Sequence, residues 1–297
     1  MARHTGEVDV HHLGPFAPLG SRHNVRHWGD SAKQLRVSTA ANRRHFYYLT
    51  ADERTGELLR EQVEALRTLQ RVVPARKLGQ QAARAPGAAS VAFGTDWGAV
   101  AAAWLTEWER TGDAAIRQRL VHSMESIAAQ PHGFFTGVAD MDIASGVYAR
   151  DTGGQLAVSH LSAVFGLAEI AGELVDLLPS QSFERAWLDY CRLYNASRDA
   201  QRAALGQPLR TGNLAQGHAR LTAFAAHRLH DEALRQRAWA EFRAGRGGIA
   251  APGRRTHTVL PPHVLAPVEE ADGLSTNAVA QWGLAAIALL ALAGPHP

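Results

Sequence analysis

QLAVSHLSAVFGLAEIAGELVDL, residues 155–177, is apolar almost all the way round a helix; after Leu178-Pro179-Ser180 follows QSFERAWLDYCRLYNASRDAQRAA, residues 181–204, which carries many charges. A helix that is apolar on every face needs cover on every face, whereas one with a charged stripe lies at the surface. The pair therefore predicts an inner helix, 155–177, against an outer one, 181–204. The joint between them is short enough to force an antiparallel return.

The same arrangement recurs along the chain. Thr50-Ala51-Asp52 joins a helix starting near Asp30 to one running to about Val72. Thr111-Gly112-Asp113 joins helices near 95–110 and 114–129, and Leu229-His230-Asp231 joins 213–229 and 232–244. Residues 232–244 are charged and are expected outside, and a last helix is read over 276–293. The stretches 73–92, 130–154 and 245–275 hold glycines, prolines and aromatics, and read as long loops. The fold class is all-α: antiparallel helix pairs whose joints recur irregularly, as in an (α/α) toroid or incomplete barrel with loops on one rim. Residues 1–29 read as an irregular segment leading into a toroid domain over 30–297.

With 297 residues, 46% of them hydrophobic, the chain can bury a substantial core. A formal net charge of +3 and a pI near 9.3 make it only mildly basic. No basic-aromatic cluster of a nucleic-acid module appears, so no nucleic-acid partner is expected. Cys191 is the single cysteine, which excludes an intrachain disulfide, and its helical setting suits a packed thiol. MARHTGEVDVHH has no apolar run of the kind a signal peptide needs, so export is not expected of this chain. Residues 278–293 are almost wholly apolar but include Gln281 and Gly283, and are read as a buried helix and not a membrane span.

Chemistry concentrates in RHNVRHWGDSAKQLRVSTAANRRHFYYLTADE, residues 22–53. His23, Asn24, His27, Trp28, Asp30, Lys33 and Arg36 fall where a loop turns into a helix, with Gly29-Asp30-Ser31 supplying the N-cap. Helical spacing puts Lys33, Arg36, Ala40, Arg43 and Tyr47 on one stripe. Such a row of cations suits an anionic, extended ligand whose carboxylates guanidinium groups can grip, with Trp28 stacking on a sugar ring. The alternative is a solvated amphipathic face beside a few capping residues. Lys33 and Lys77 are the only lysines among 31 basic residues. A lysine kept beside histidines and a tryptophan has an amine that can lose a proton, as arginine cannot. No cofactor is expected, although His23 and His27 with Asp9 or Asp30 could ligate zinc or another divalent ion. His-x-x-x-His is metal spacing only on a helix, and this helix is read as starting later.

Two further regions offer candidates. The loop 131–148 holds His132, Phe134, Phe135, Asp140, Asp142 and Tyr148, whose aromatics either line a sugar subsite or pack a lid. His160 is either a catalytic or substrate-binding group or a hydrogen-bonded structural residue. Asn277 and Trp282 open the last helix much as His27 and Trp28 open the first; the other reading is a cap and a core tryptophan. Tyr190, Tyr194 and Asn195 fall on an outer helix and read as structural.

The runs HNVRHWGDSAKQLRVS, YYLTADERTGELL, QPHGFFTGVADMDIASGVY, DTGGQLAVSHLSAVFGLAEI and STNAVAQWGLAAIALLAL resemble the helical-toroid region of the exo-acting rhamnogalacturonan lyases and their relatives. The resemblance implies an enzyme that splits acidic pectic chains by β-elimination, with a polysaccharide or oligosaccharide partner and no membrane partner. It also implies that Asn277 and Trp282 face the central cavity. Elimination from a uronate needs a group to neutralise the carboxylate, a base, and an acid for the departing oxygen. Arg36 and Asn24 would hold the carboxylate, Lys33 or His27 would be the base, and His23 or a tyrosine would serve the leaving group. The same toroid hosts glycoside hydrolases, which need two carboxylic acids, Asp30 with Asp140 or Asp142; a non-catalytic sugar-binding fragment is the third reading. Only about nine helices are counted and the relatives carry further β-rich domains, so the ring is incomplete or the chain is a fragment, and the fragment is favoured.

Overall fold

The computed structural model describes residues 40–69, 86–158, 161, 165–210, 214–246, 248–249, 256–259, 268–271 and 276–295. These residues form eleven α-helices: α1 (Ala40–Thr50), α2 (Glu53–Val63), α3 (Ala65–Leu69), α4 (Thr95–Thr111), α5 (Ala114–Ala128), α6 (Leu167–Leu177), α7 (Gln181–Leu193), α8 (Arg198–Leu205), α9 (Ala215–Leu229), α10 (Glu232–Arg243) and α11 (Thr276–Ala293). A 3-10 turn spans Gly133–Thr136, and there are two antiparallel strand pairs: β1 (Ala88–Ala92) with β2 (Val138–Asp142), and β3 (Thr256–Val259) with β4 (Val268–Ala271). The all-α class holds, with the strands as minor additions. Two compact units are distinguished: residues 1–190 with 198–210, and 191–197 with 211–297.

Three joints are built the same way. One residue takes the left-handed conformation and ends a helix, and the next, an aspartate, caps the following one. Ala51 (φ 54°) precedes Asp52, whose carboxylate accepts from Thr55 N at 2.7 Å. Gly112 (φ 68°) precedes Asp113, which accepts from Ala115 N at 2.8 Å and Ile116 N at 3.3 Å. His230 (φ 52°) precedes Asp231, which accepts from Leu234 N at 3.0 Å. Each device satisfies orphan groups of both helices within two residues, so these boundaries fall within a residue of those read from sequence.

In the first unit the helix covered on all sides is α4, not 155–177: every residue from Thr95 to Thr106 is buried. Helices α1, α2, α5 and α6 and strand β1 all pack on it. Small side chains make that possible. A Cβ on Gly98 would stand 3.1 Å from the Leu167 Cα, so the α6 backbone lies directly on α4. Under it, Trp97, Phe134, Phe183, Trp187 and Tyr190 form one aromatic cluster, with Phe134 touching the other four rings at centroid distances of 5.2–5.8 Å. The Trp97 indole donates to Ser123 Oγ at 3.0 Å.

Of the expected inner helix, the described residues form a helix over Leu167–Leu177. Helix α6 begins at Leu167, after Gly166 at φ 86°, a conformation no helix continues through. Upstream, Ala157 N donates to Phe135 O at 2.8 Å, so that backbone is tied to the 3-10 turn instead of to its own helix. Helix α6 buries Leu167, Ile170, Ala171, Leu174 and Val175 and exposes its other side, Leu177 included. The long outer helix also divides, into α7 and α8.

In the second unit α9 is buried over most of its length and packs against α10 and α11. Ala219, Ala223, Ala238, Trp239, Phe242, Ala285, Leu289 and Ala293 make its core. The last helix is not enclosed as expected. Gln281, Ala285, Leu289 and Ala293, four residues apart, are buried, while Ile287 is 67% and Leu290 56% exposed. No helix among the described residues is long and apolar enough to cross a membrane.

Candidate functional site

His23, Asn24, His27, Trp28, Asp30, Lys33, Arg36 and His160 lie outside the described residues, as do the N-cap and first turns expected for the first helix. Arg43, Trp282 and the backbone of Asn277 in the first turn of α11 are described. Among the described residues no group of three or more His, Cys, Asp or Glu could hold a metal ion.

The described end of the cation stripe faces inward. Ala40 is fully buried and Arg43 and Tyr47 are half-buried, while Asn42, His45, Phe46 and Leu49 face out. Desolvation pulls the Arg43 pKa down from its ordinary value. Beside it Arg44, 3% exposed, is bound by the Glu173 carboxylate of α6 and stands 3.7 Å from Glu109 of α4. A buried guanidinium needs such partners, since an unpaired charge there would be strongly destabilising.

The five tyrosines, candidates for the leaving-group acid, are committed elsewhere. Tyr48 donates to Glu109 Oε2 at 2.7 Å, and burial followed by that bond raises its phenol pKa well above the ordinary value. Tyr47 is wedged at Gly56, where a Cβ would come within 2.8 Å of its ring, with the Arg110 guanidinium 4.7 Å from the ring centroid. Tyr148, Tyr190 and Tyr194 are buried.

The aromatics of the 131–148 loop pack the interior and do not line a subsite. Phe134, Phe135 and Tyr148 are each at most 3% exposed. The Asp142 carboxylate accepts from Ser145 N at 2.7 Å and Ser145 Oγ at 2.6 Å, which holds its pKa below the ordinary value. A glycosidase's general acid needs a carboxyl held up, so Asp142 is unsuited to that role.

Trp282 is 42% exposed, and its ring lies 5.9 Å from that of Phe242 between centroids, tilted by 32°. It is an indole with free surface for stacking and not an enclosed core tryptophan.

Sequence reading missed a partly buried polar cluster in the second unit. Glu241 Oε2 accepts from Asn195 Nδ2 at 3.0 Å and Thr222 Oγ1 at 2.7 Å, and Arg237 Nε stands 3.0 Å from Oε1. Burial raises the Glu241 pKa against the opposing pull of these partners. No local motif announces it, because Asn195 and Glu241 are 46 positions apart.

Comparison with known proteins completes the picture. The family described as PcRGLX-like protein C-terminal alpha/alpha toroid domain matches residues 1–296. The chain belongs to this toroid family. It is also similar to the uncharacterized protein YetA of Bacillus subtilis (strain 168), with 32% identity over 302 residues. That match takes in 99% of this chain and 34% of YetA, so the chain spans about a third of that relative's length. The α/α toroid that this family description names agrees with the helical architecture described above.

Proposed function

We propose that the chain is the toroid part of a polysaccharide lyase that cleaves rhamnogalacturonan-type pectic chains by β-elimination at a uronate residue. The observation that carries this reading is the toroid-family match over residues 1–296. The resemblance of the quoted runs to the exo-acting lyases supports it. In this reading Arg36 and Asn24 neutralise the uronate carboxylate, which acidifies the adjacent C–H, and Lys33 or His27 removes that proton. With every tyrosine buried, wedged or hydrogen-bonded, His23 is the better choice to protonate the departing oxygen. Trp28 and Trp282 stack on sugar rings, and Arg43, His160 and Asn277 contribute to binding. The held-down Asp142 carboxyl counts against a general-acid role for that residue in a hydrolase.

The test is incubation with rhamnogalacturonan oligosaccharides, of this chain and of a longer protein that contains it, followed by ultraviolet absorbance. Only elimination makes the conjugated unsaturated uronate that absorbs there. New reducing ends without that absorbance would establish a hydrolase, and binding without either product a sugar-binding module. In an active protein, Lys33→Arg keeps the charge but not the labile proton, so a base role predicts turnover down by about 100-fold or more with affinity largely retained. If turnover stays within a few-fold, Lys33 is a clamp and His27 is the base to examine.

A further inference from the structure

Helix α11 (Thr276–Ala293) has two unlike sides. On one, Ala285, Leu289 and Ala293 enter the core shared with α9 and α10. The other side is open, and helical spacing places Val279, Gly283, Ile287 and Leu290 along it in a row, with Leu284 beside them. Val279, Leu284, Ile287 and Leu290 are between 41% and 67% exposed, Ile287 the most. Gly283 is a notch in this row, since nothing lies within 4 Å of where its Cβ would be. Ile287, one turn further on, is a knob beside that notch. No Asp, Glu, Lys or Arg occurs from Gly273 to Pro297, so the row carries no charge of its own. An exposed apolar patch on the order of 400 Å² is the kind of surface that marks an interaction site.

We propose that a second copy of the chain packs on this face of α11, antiparallel, with Ile287 of each copy set into the Gly283 notch of the other. Shape and charge both select a second copy over an unlike partner. A knob and a notch one turn apart on the same row are self-complementary: a two-fold axis between the helices brings each knob to the other's notch, which is the reciprocal contact that an isologous interface requires. An uncharged row meets its own copy without repulsion, whereas a partner guided by charge finds no handle on it. The glycine also lets the two helices approach to the short end of the interaxial range, about 8 Å, so Leu284 and Leu290 are drawn out of water together with Ile287. Trp282 stands about 100° round the helix from Gly283 and is left outside the contact. Two such rows bury about 800–1,000 Å², less than the roughly 1,200 Å² of a stable complex, so the pairing is weak and depends on concentration.

Sedimentation equilibrium on the whole chain tests this. Wild type is expected to be monomeric at about 1 µM and to move towards twice that mass by about 300 µM. Ile287→Lys sets like charges against each other across the contact and is expected to weaken pairing by about tenfold or more. Gly283→Leu separates fit from mere stickiness: it adds apolar surface but fills the notch, so it too is expected to weaken pairing, by about fivefold or more. Circular dichroism checks that both variants keep their helices, and should Ile287→Lys fail to fold, Gly283→Leu decides alone. A wild type that stays monomeric throughout would overturn the proposal, as would unchanged pairing in Ile287→Lys or tighter pairing in Gly283→Leu. A longer protein that contains this chain is expected to pair over the same concentrations. If it stays monomeric while the chain alone pairs, the row is covered by the rest of that polypeptide, and a second copy is not its occupant.

Discussion

Glu241 shows how a residue of ordinary appearance acquires an unusual proton affinity. Its side chain is 12% exposed, and loss of hydration disfavours the carboxylate more than Asn195, Thr222 and Arg237 favour it, so its pKa rises from the ordinary 4.5. Below about pH 4.5 the carboxyl is protonated in folded and unfolded chains alike. Between there and the raised folded value the folded chain holds more proton, so stability falls as pH rises through this window, and the contribution is lost above it. Glu241→Gln removes that slope. The unfolding free energy of the variant is expected to gain on wild type with rising pH, by about 1.4 kcal/mol for each pH unit the window spans. Denaturant titrations at several pH values would show it, and parallel curves would mean that Glu241 titrates normally. Nothing in the residues around position 241 signals this, because the cause is burial, and burial comes from the tertiary packing around α10. The candidate site differs: its His/Trp/Lys cluster is legible as a motif, but whether Arg43 and Tyr47 face a ligand depends on the helices that cover them.

At the level of elements, the joints were the most legible feature. A left-handed residue followed by aspartate acts over three or four positions, so the signal lies entirely in the local sequence. The three joints differ in the first residue, and that difference is measurable. Ala51 bears a Cβ at φ 54°, a conformation that is costly for alanine, while Gly112 occupies the equivalent place at φ 68° with nothing within 4 Å of where its Cβ would be. Ala51→Gly is expected to stabilise the chain by about 1 kcal/mol, and Gly112→Ala to destabilise it by about 1–2 kcal/mol. Thermal or denaturant unfolding would reveal the opposite signs; the same sign for both would show that these helix ends relax. Strand β1 was not legible, since AASVA has weak strand propensity and its partner β2 lies some fifty residues on.

Across the whole molecule, what counts as loop and what counts as core is decided by distant partners. Phe134 sits in a stretch rich in glycine, yet it is 2% exposed and meets rings from α4 and α7. Phe134→Ala is expected to cost about 3–5 kcal/mol of stability, whereas Phe46→Ala, at a residue 53% exposed, should change it by less than about 1 kcal/mol. Comparable losses in the two variants would mean that the aromatic cluster is not the centre of the first unit. The sequence by itself determined the helical class, the pairing through short joints, the span of α4, α5, α9, α10 and α11 to within two residues, and the structural standing of Tyr190 and Tyr194. Those features rest on caps and on side-chain periodicity, both of which act within one or two turns. Only the tertiary structure decided that α4 and α9 are the covered helices, that 155–166 does not extend α6, that the 131–148 aromatics are core, and that α11 leaves one apolar side exposed. Burial is a property of what packs against a residue, and an alanine-rich helix such as α4 looks unremarkable until Leu167 is found lying on Gly98.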